Sequence, residues 1–143
     1  MCSSDLIRLN GSEANWTKDE MVKNITIQAG DVILSAELNE TDTANAVWDA
    51  LPIHANGNTW GHEIYFQIQV ESNLENGQEI VELGDLAYWP PGSAFCLFFG
   101  LTPASQGDEI RPASEVTVIG KMIGDIEPLK SVGSGSLIVI EAA

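Results

Sequence analysis

The sequence predicts a mainly β fold: a closed or nearly closed barrel of about eight short strands, with one α-helix at about residues 42–51. Apolar and polar residues alternate with a period of two in one segment after another, and Gly, Pro, Asn and Asp punctuate these segments at short intervals. Only one stretch carries apolar residues at helical spacing. Closing on one another is the simplest way for so many short strands to avoid exposed edges.

Residues 1–20 are polar, rich in Gly and Asn and without a sustained period, which predicts a loose leader ahead of a single barrel domain over 21–143. From Met21, "MVKNITIQAGDVILSAEL" alternates on both sides of Ala29-Gly30-Asp31, giving strands near 22–28 and 31–38 with the turn between them. In "ETDTANAVWDALP", Thr41 or Asp42 caps a helix whose Ala44, Val47, Trp48 and Leu51 form one apolar stripe, and Pro52 ends it. After a Gly/Asn loop at 55–61, "EIYFQIQV" places Ile64, Phe66, Ile68 and Val70 on one face. "QEIVEL", "DLAYWP", "AFCLFFG", "VTVIGKMIG" and "SLIVIEA" supply the remaining strands. Pro90 and Pro91 cannot donate to a central ladder, so with Gly92 they mark a turn or an edge.

Composition narrows the functional classes. With 21 acidic and 6 basic residues, the net charge of -15 leaves no Lys/Arg cluster to neutralise phosphates, so nucleic acid is not an expected partner. No apolar run is long enough to cross a bilayer, so no membrane span is expected. A cytoplasmic location is expected in the absence of an apolar signal region, with a lipid-anchored or exported protein as the alternative if Cys2 follows a removed signal. The oligomeric state leaves no mark in the sequence.

Chemistry is sparsely marked. His54, His62 and Glu63 are the metal candidates, but their spacing fits neither a helical nor a strand-borne ligand set, and in a strand His62 and Glu63 would face opposite ways. No metal is expected, and no cofactor. Gly84, Pro90 and Gly92 resemble the second cupin motif, yet Phe95 occupies the place of its metal-binding histidine. Cys96 lies in an apolar run and reads as a buried thiol, and "GSGS" at 133–136 reads as a turn. Between Lys23 and Arg111 the chain has no Lys or Arg, so Arg111 either pairs with Asp108 or Glu109 or holds an anionic or carbonyl group of a ligand.

"VTVIGKMIGDIEPLKSVGSGSLIVIEAA" is similar to the C-terminal part of cyclophilins, where a strand ending Gly-Lys-Val leads through a Val-Gly-Ser turn to a last strand. "TDTANAVWDALP" resembles the cyclophilin helix that begins Thr-x-x-Asn-Phe. With "WGHEIYF", "GDLAYWPPGSAFCLFFG" and "GDEIRPAS" in order, residues 22–143 resemble the bacterial and archaeal cyclophilin-like family of small proteins. The resemblance implies a cyclophilin-like, eight-stranded closed β-barrel and a groove that holds proline.

True cyclophilins polarise the prolyl amide with an arginine after the first helix. Here "IHANGNTWGHEIYFQIQV" contains no Arg and no Phe-x-x-Gln-Gly-Gly. Counted back from Gly120, the pocket histidine falls on Val116 and the pocket tryptophan on Arg111. The expected function is therefore peptide or proline binding in an apolar groove with weak or absent prolyl isomerase activity, Arg111 being the best catalytic candidate. The groove would use Trp60, Phe95, Phe98 or Phe99. The alternative is a small-molecule binding barrel in which Tyr88, Trp89, His62 and Arg111 line a pocket for an anionic or aromatic metabolite.

Overall fold

The structure is a computed structural model that describes residues 23–143; the expected leader and Cys2 lie outside the described residues. Strands β1 (Lys23–Ala29) and β2 (Val32–Leu38) form the expected hairpin. Its two-residue turn has Gly30 at φ +59°, the left-handed conformation glycine adopts without strain. Helix α1 (Asp42–Asp49) starts where Thr41 accepts a hydrogen bond from the Ala44 N–H at 3.1 Å. The Glu75 carboxylate takes two more of its free N–H groups, from Asp42 at 3.1 Å and Thr43 at 3.2 Å, and these bonds hold that carboxyl below its usual range. Ala44 and Val47 bury the helix against β2 and β8 (Thr117–Ile123), and the chain leaves it before the cis bond to Pro52.

The remaining strands are β3 (Ile53–Asn56), β4 (Asn58–Thr59), β5 (Glu63–Gln67), β6 (Asp85–Trp89), β7 (Ala94–Phe98) and β9 (Leu137–Ala142). All pairings are antiparallel, in the order β3-β9-β1-β2-β8-β6-β7-β5-β4. The barrel is nearly closed and has nine strands, where eight were expected. The reason lies in the presumed loop at 55–61: β3 pairs with β9 at one end of the order, β4 pairs with β5 at the other, and Gly57 alone separates them. A Cβ at Gly57 would lie 2.9 Å from Ile64 Cγ2 and 3.0 Å from Ile138 Cγ1, so only glycine lets the backbone turn this corner against the core.

"QEIVEL", by contrast, is not a strand. It makes two isolated bridges, Gln78 with Val116 and Val81 with Ile110, both partners lying in the irregular segment that precedes β8. Among the described residues no helix is long and apolar enough to cross a membrane.

Period-two alternation sorts the side chains into two cores. Ile25, Ile27, Leu34, Ala36, Ile64, Phe66, Leu86, Tyr88, Phe95, Leu97, Ile138 and Ile140 fill the barrel. Val81, Ala87, Ala94, Cys96, Phe98, Ile110 and Val116 form a second cluster on the outer face of β6 and β7. Every residue of β7 is consequently buried. Tyr88 sits wholly inside the barrel, its hydroxyl donating to Val70 O at 2.7 Å and accepting from Ser72 N at 3.2 Å. Tyr88→Phe leaves both groups without that partner and is expected to lower stability by about 1–3 kcal/mol in urea unfolding; an unchanged midpoint would show that water replaces the hydroxyl.

Candidate functional site

The second cluster marks where the barrel wall is covered. From β7 the chain runs across the outer face through residues 99–116 before entering β8, and short bonds hold that segment in place. Thr102 Oγ1 donates to Arg111 O, Gln106 N donates to Glu109 Oε2 at 2.7 Å, and Val81 N donates to Ile110 O at 3.0 Å. Between wall and segment lies a cavity of about 260 Å³ lined by Trp60, Glu63, Tyr65, Trp89, Cys96, Pro112, Ala113 and Val116.

Local geometry explains how these residues meet. Gly61 and His62 make a two-residue turn between β4 and β5, with Gly61 at φ +62° and the flanking Trp60 and Glu63 exchanging backbone hydrogen bonds of 2.9 and 3.2 Å. Residues bonded directly across a hairpin project from the same face, so Trp60 and Glu63 enter the cavity together. Tyr65 follows two residues along β5, on that same face, with Cys96 opposite it on β7. Trp89 ends β6, and its indole N–H donates to Ser114 Oγ at 2.6 Å. The Trp89 ring lies over Gly92 of the Pro90–Gly92 turn, where a Cβ would come within 2.9 Å of it. The double proline thus does form the expected turn, and its glycine seats a wall of the cavity.

Glu63 is the one carboxyl in this apolar enclosure. It is 5% exposed, and its Oε1 has no hydrogen-bond partner among the described residues. Burial pushes its pKa up from 4.5 to about 7, the neighbouring Cys96 thiol offsetting part of the rise. The Cys96 thiol is itself pushed well up, by burial and then by the Glu63 charge, so it is not a nucleophile at neutral pH. A buried carboxyl without a full set of partners costs stability, and such groups concentrate at functional sites. Among the described residues no three His, Cys, Asp or Glu side chains gather as a metal site would require.

Of the residues expected from sequence to line a site, Trp60 and Trp89 are in the cavity. Phe98 lies in the outer cluster, opposite Glu63 across the β5–β7 ladder. Tyr88 and Phe95 face the barrel interior, Phe95 stacked on Phe66 at 5.3 Å. His62 is exposed in the turn and stacks on buried Phe99 at 5.7 Å. Arg111 forms the ion pair expected with Glu109, to Oε2 at 3.1 Å, reaches to 3.9 Å from Glu79, and is not among the residues lining the cavity. In the sequence Glu63 reads only as a metal candidate. The one hint of its position was a charge set on an alternating strand beside Tyr65.

A family model described as Cyclophilin-like matches residues 23–141, nearly all of the described chain. The chain belongs to the Cyclophilin-like family. This cyclophilin-like chain is also similar to the hypothetical protein AF2241 from Archaeoglobus fulgidus, whose solution structure superposes with a TM-score of 0.73. The two are 46% identical over 85% of this chain and 95% of that one. No curated protein matches the sequence.

Proposed function

We propose that this cyclophilin-like protein is a binding protein that takes an apolar ring, the prolyl ring of a peptide, into the cavity behind residues 99–116, with weak or absent isomerase activity. The observation that carries the reading is the lining itself: Trp60, Tyr65 and Trp89 offer aromatic faces, Pro112 and Val116 close the space, and no Lys or Arg is among the lining residues. Ring-shaped groups are held well by such walls, since aromatic faces bury large areas with little side-chain entropy to lose. Isomerisation needs more. Its barrier of about 18–20 kcal/mol falls only if a donor stabilises the twisted amide; no Lys or Arg lines the cavity, and the Glu63 carboxyl, pushed up to about 7, gives up its proton above neutrality. The ion pair to Glu109 supports a tethering role for Arg111 rather than a polarising one.

The test is a tetrapeptide with an internal proline, followed by tryptophan fluorescence and by protease-coupled isomerisation. Saturable quenching that Trp60→Ala weakens at least tenfold, with isomerisation close to the uncatalysed rate, is the expected result. Strong acceleration, or quenching indifferent to Trp60→Ala, would overturn it. A small aromatic metabolite is the second reading, favoured by the modest volume of about 260 Å³. The anionic version of that reading is disfavoured by Glu63, whose charge would repel the ligand.

A further inference from the structure

We infer that the same cavity also takes a group that carries a positive charge: an organic ammonium with apolar substituents, paired with Glu63 and lined by Trp60, Tyr65 and Trp89. This inference rests on the cavity being the ligand site, as proposed above.

Four observations converge on it. Glu63 is buried, lines the cavity and leaves Oε1 unpartnered among the described residues, so an acceptor waits there for a donor. Three aromatic side chains line the same space, and the faces of such rings attract cations, most strongly when water is excluded. Arg111, the basic residue of the covering segment, is engaged outside the cavity by Glu109 and Glu79. Finally, the net charge of -15 steers cations toward the protein.

An inorganic cation fits poorly. It would require several oxygen ligands, and the lining supplies one carboxyl among apolar walls. An alkylammonium brings its own apolar shell, which these walls match.

The charged and titratable neighbours of Glu63 are few. Cys96 faces it from β7 and Tyr65 lies along β5, while Pro112, Ala113 and Val116 of the covering segment carry no charge. His62 turns away onto Phe99, and Glu115 is exposed and does not line the cavity. Cation binding therefore couples chiefly to the proton on Glu63 and strengthens as that proton leaves.

The experiment compares choline with its neutral isostere 3,3-dimethyl-1-butanol by titration calorimetry and tryptophan fluorescence at pH 5.5 and 8.5, with the full chain and with Glu63→Gln. Choline is expected to bind about tenfold or more tightly at pH 8.5 than at pH 5.5 and to outbind the isostere. Glu63→Gln should remove the pH dependence and the preference for choline. A trimethyl-lysine peptide distinguishes a peptide-borne ammonium from a free one; binding of either source supports the inference.

Equal affinity for choline and isostere would overturn it. So would choline affinity that rises on acidification, which would assign protonated Glu63 as a donor to a neutral carbonyl instead. If the isostere and the prolyl peptide bind but neither choline nor the trimethyl-lysine peptide does, the charge inference fails while the cavity remains the ligand site. If no probe binds, or Trp60→Ala affects none of them, both fall.

Discussion

Glu63→Gln is expected to stabilise the protein by about 3 kcal/mol at pH 8 and to leave stability unchanged below about pH 4. The sign follows from the direction of the shift. Folding raises the Glu63 pKa from 4.5 to about 7, so between those values the unfolded chain has released a proton that the native state still holds. Stability contributed by this group is therefore lost as pH rises through that interval, and above pH 7 the native state carries a buried charge. The interval corresponds to about 3 kcal/mol at about 1.4 kcal/mol per pH unit. Glutamine keeps the shape and cannot ionise. Asp85 is also raised by burial, with Lys121 3.6 Å away, so wild type alone would report both groups. The difference between variant and wild type isolates Glu63. Urea unfolding from pH 4 to pH 8.5 should show two curves that meet at the acid end and diverge above; parallel curves would mean the carboxyl is solvated.

Gly120→Ala is expected to cost more than about 3 kcal/mol or to prevent folding, whereas Gly133→Ala should change stability by less than about 0.5 kcal/mol. Gly120 lies mid-strand in β8, opposite Leu38 of β2 on one side and Leu86 of β6 on the other. A Cβ there would overlap the Glu37 carbonyl oxygen and lie 3.0 Å from Leu38 Cα. The obstructing atoms are backbone in a paired ladder, so no rotamer change relieves the clash. The register shift between Leu86 and Ala87 leaves Ile119 facing no partner on β6, while on the β2 side its carbonyl accepts from Asn39 N at 2.8 Å. Close approach and irregular ladder thus belong to one feature, the point where β8 bends between its neighbours. At Gly133 a Cβ would meet nothing within 4 Å. Thermal unfolding of the two variants side by side checks the contrast; a tolerant Gly120→Ala would mean that β2 and β8 can separate there without loss.

Why the cavity was only half legible follows from how it is built. Trp60 and Trp89 stood out because large rings are rare in this chain and each lies at a strand end. Glu63 did not, since a single carboxylate on an alternating strand looks like any solvent-facing residue. What makes it different is the segment 99–116, which folds back over the outer wall and brings Pro112, Ala113 and Val116 against β5 and β7. Nothing in the period of "EIYFQIQV" tells whether its second face meets water or another part of the chain. The rings of "AFCLFFG" have the same ambiguity: alternation predicts that they divide between two faces, and they do, but both faces prove to be buried.

The sequence by itself determined the local choices. The two-residue turn at Gly30, the Thr41 cap, the alternating strands and the turn at the double proline are decided by residues within a few positions of one another, where backbone sterics and the pleat act directly. Only the tertiary structure decided where distant segments find partners. "HANGNT" became two short strands at the two ends of the sheet order because β9 and β5 offered edges there, and "QEIVEL" made only two isolated bridges, to Val116 and Ile110. It likewise decided that Glu63 is buried, and with that its proton affinity. Desolvation depends on what covers a residue, and the cover arrives from some fifty positions further along the chain.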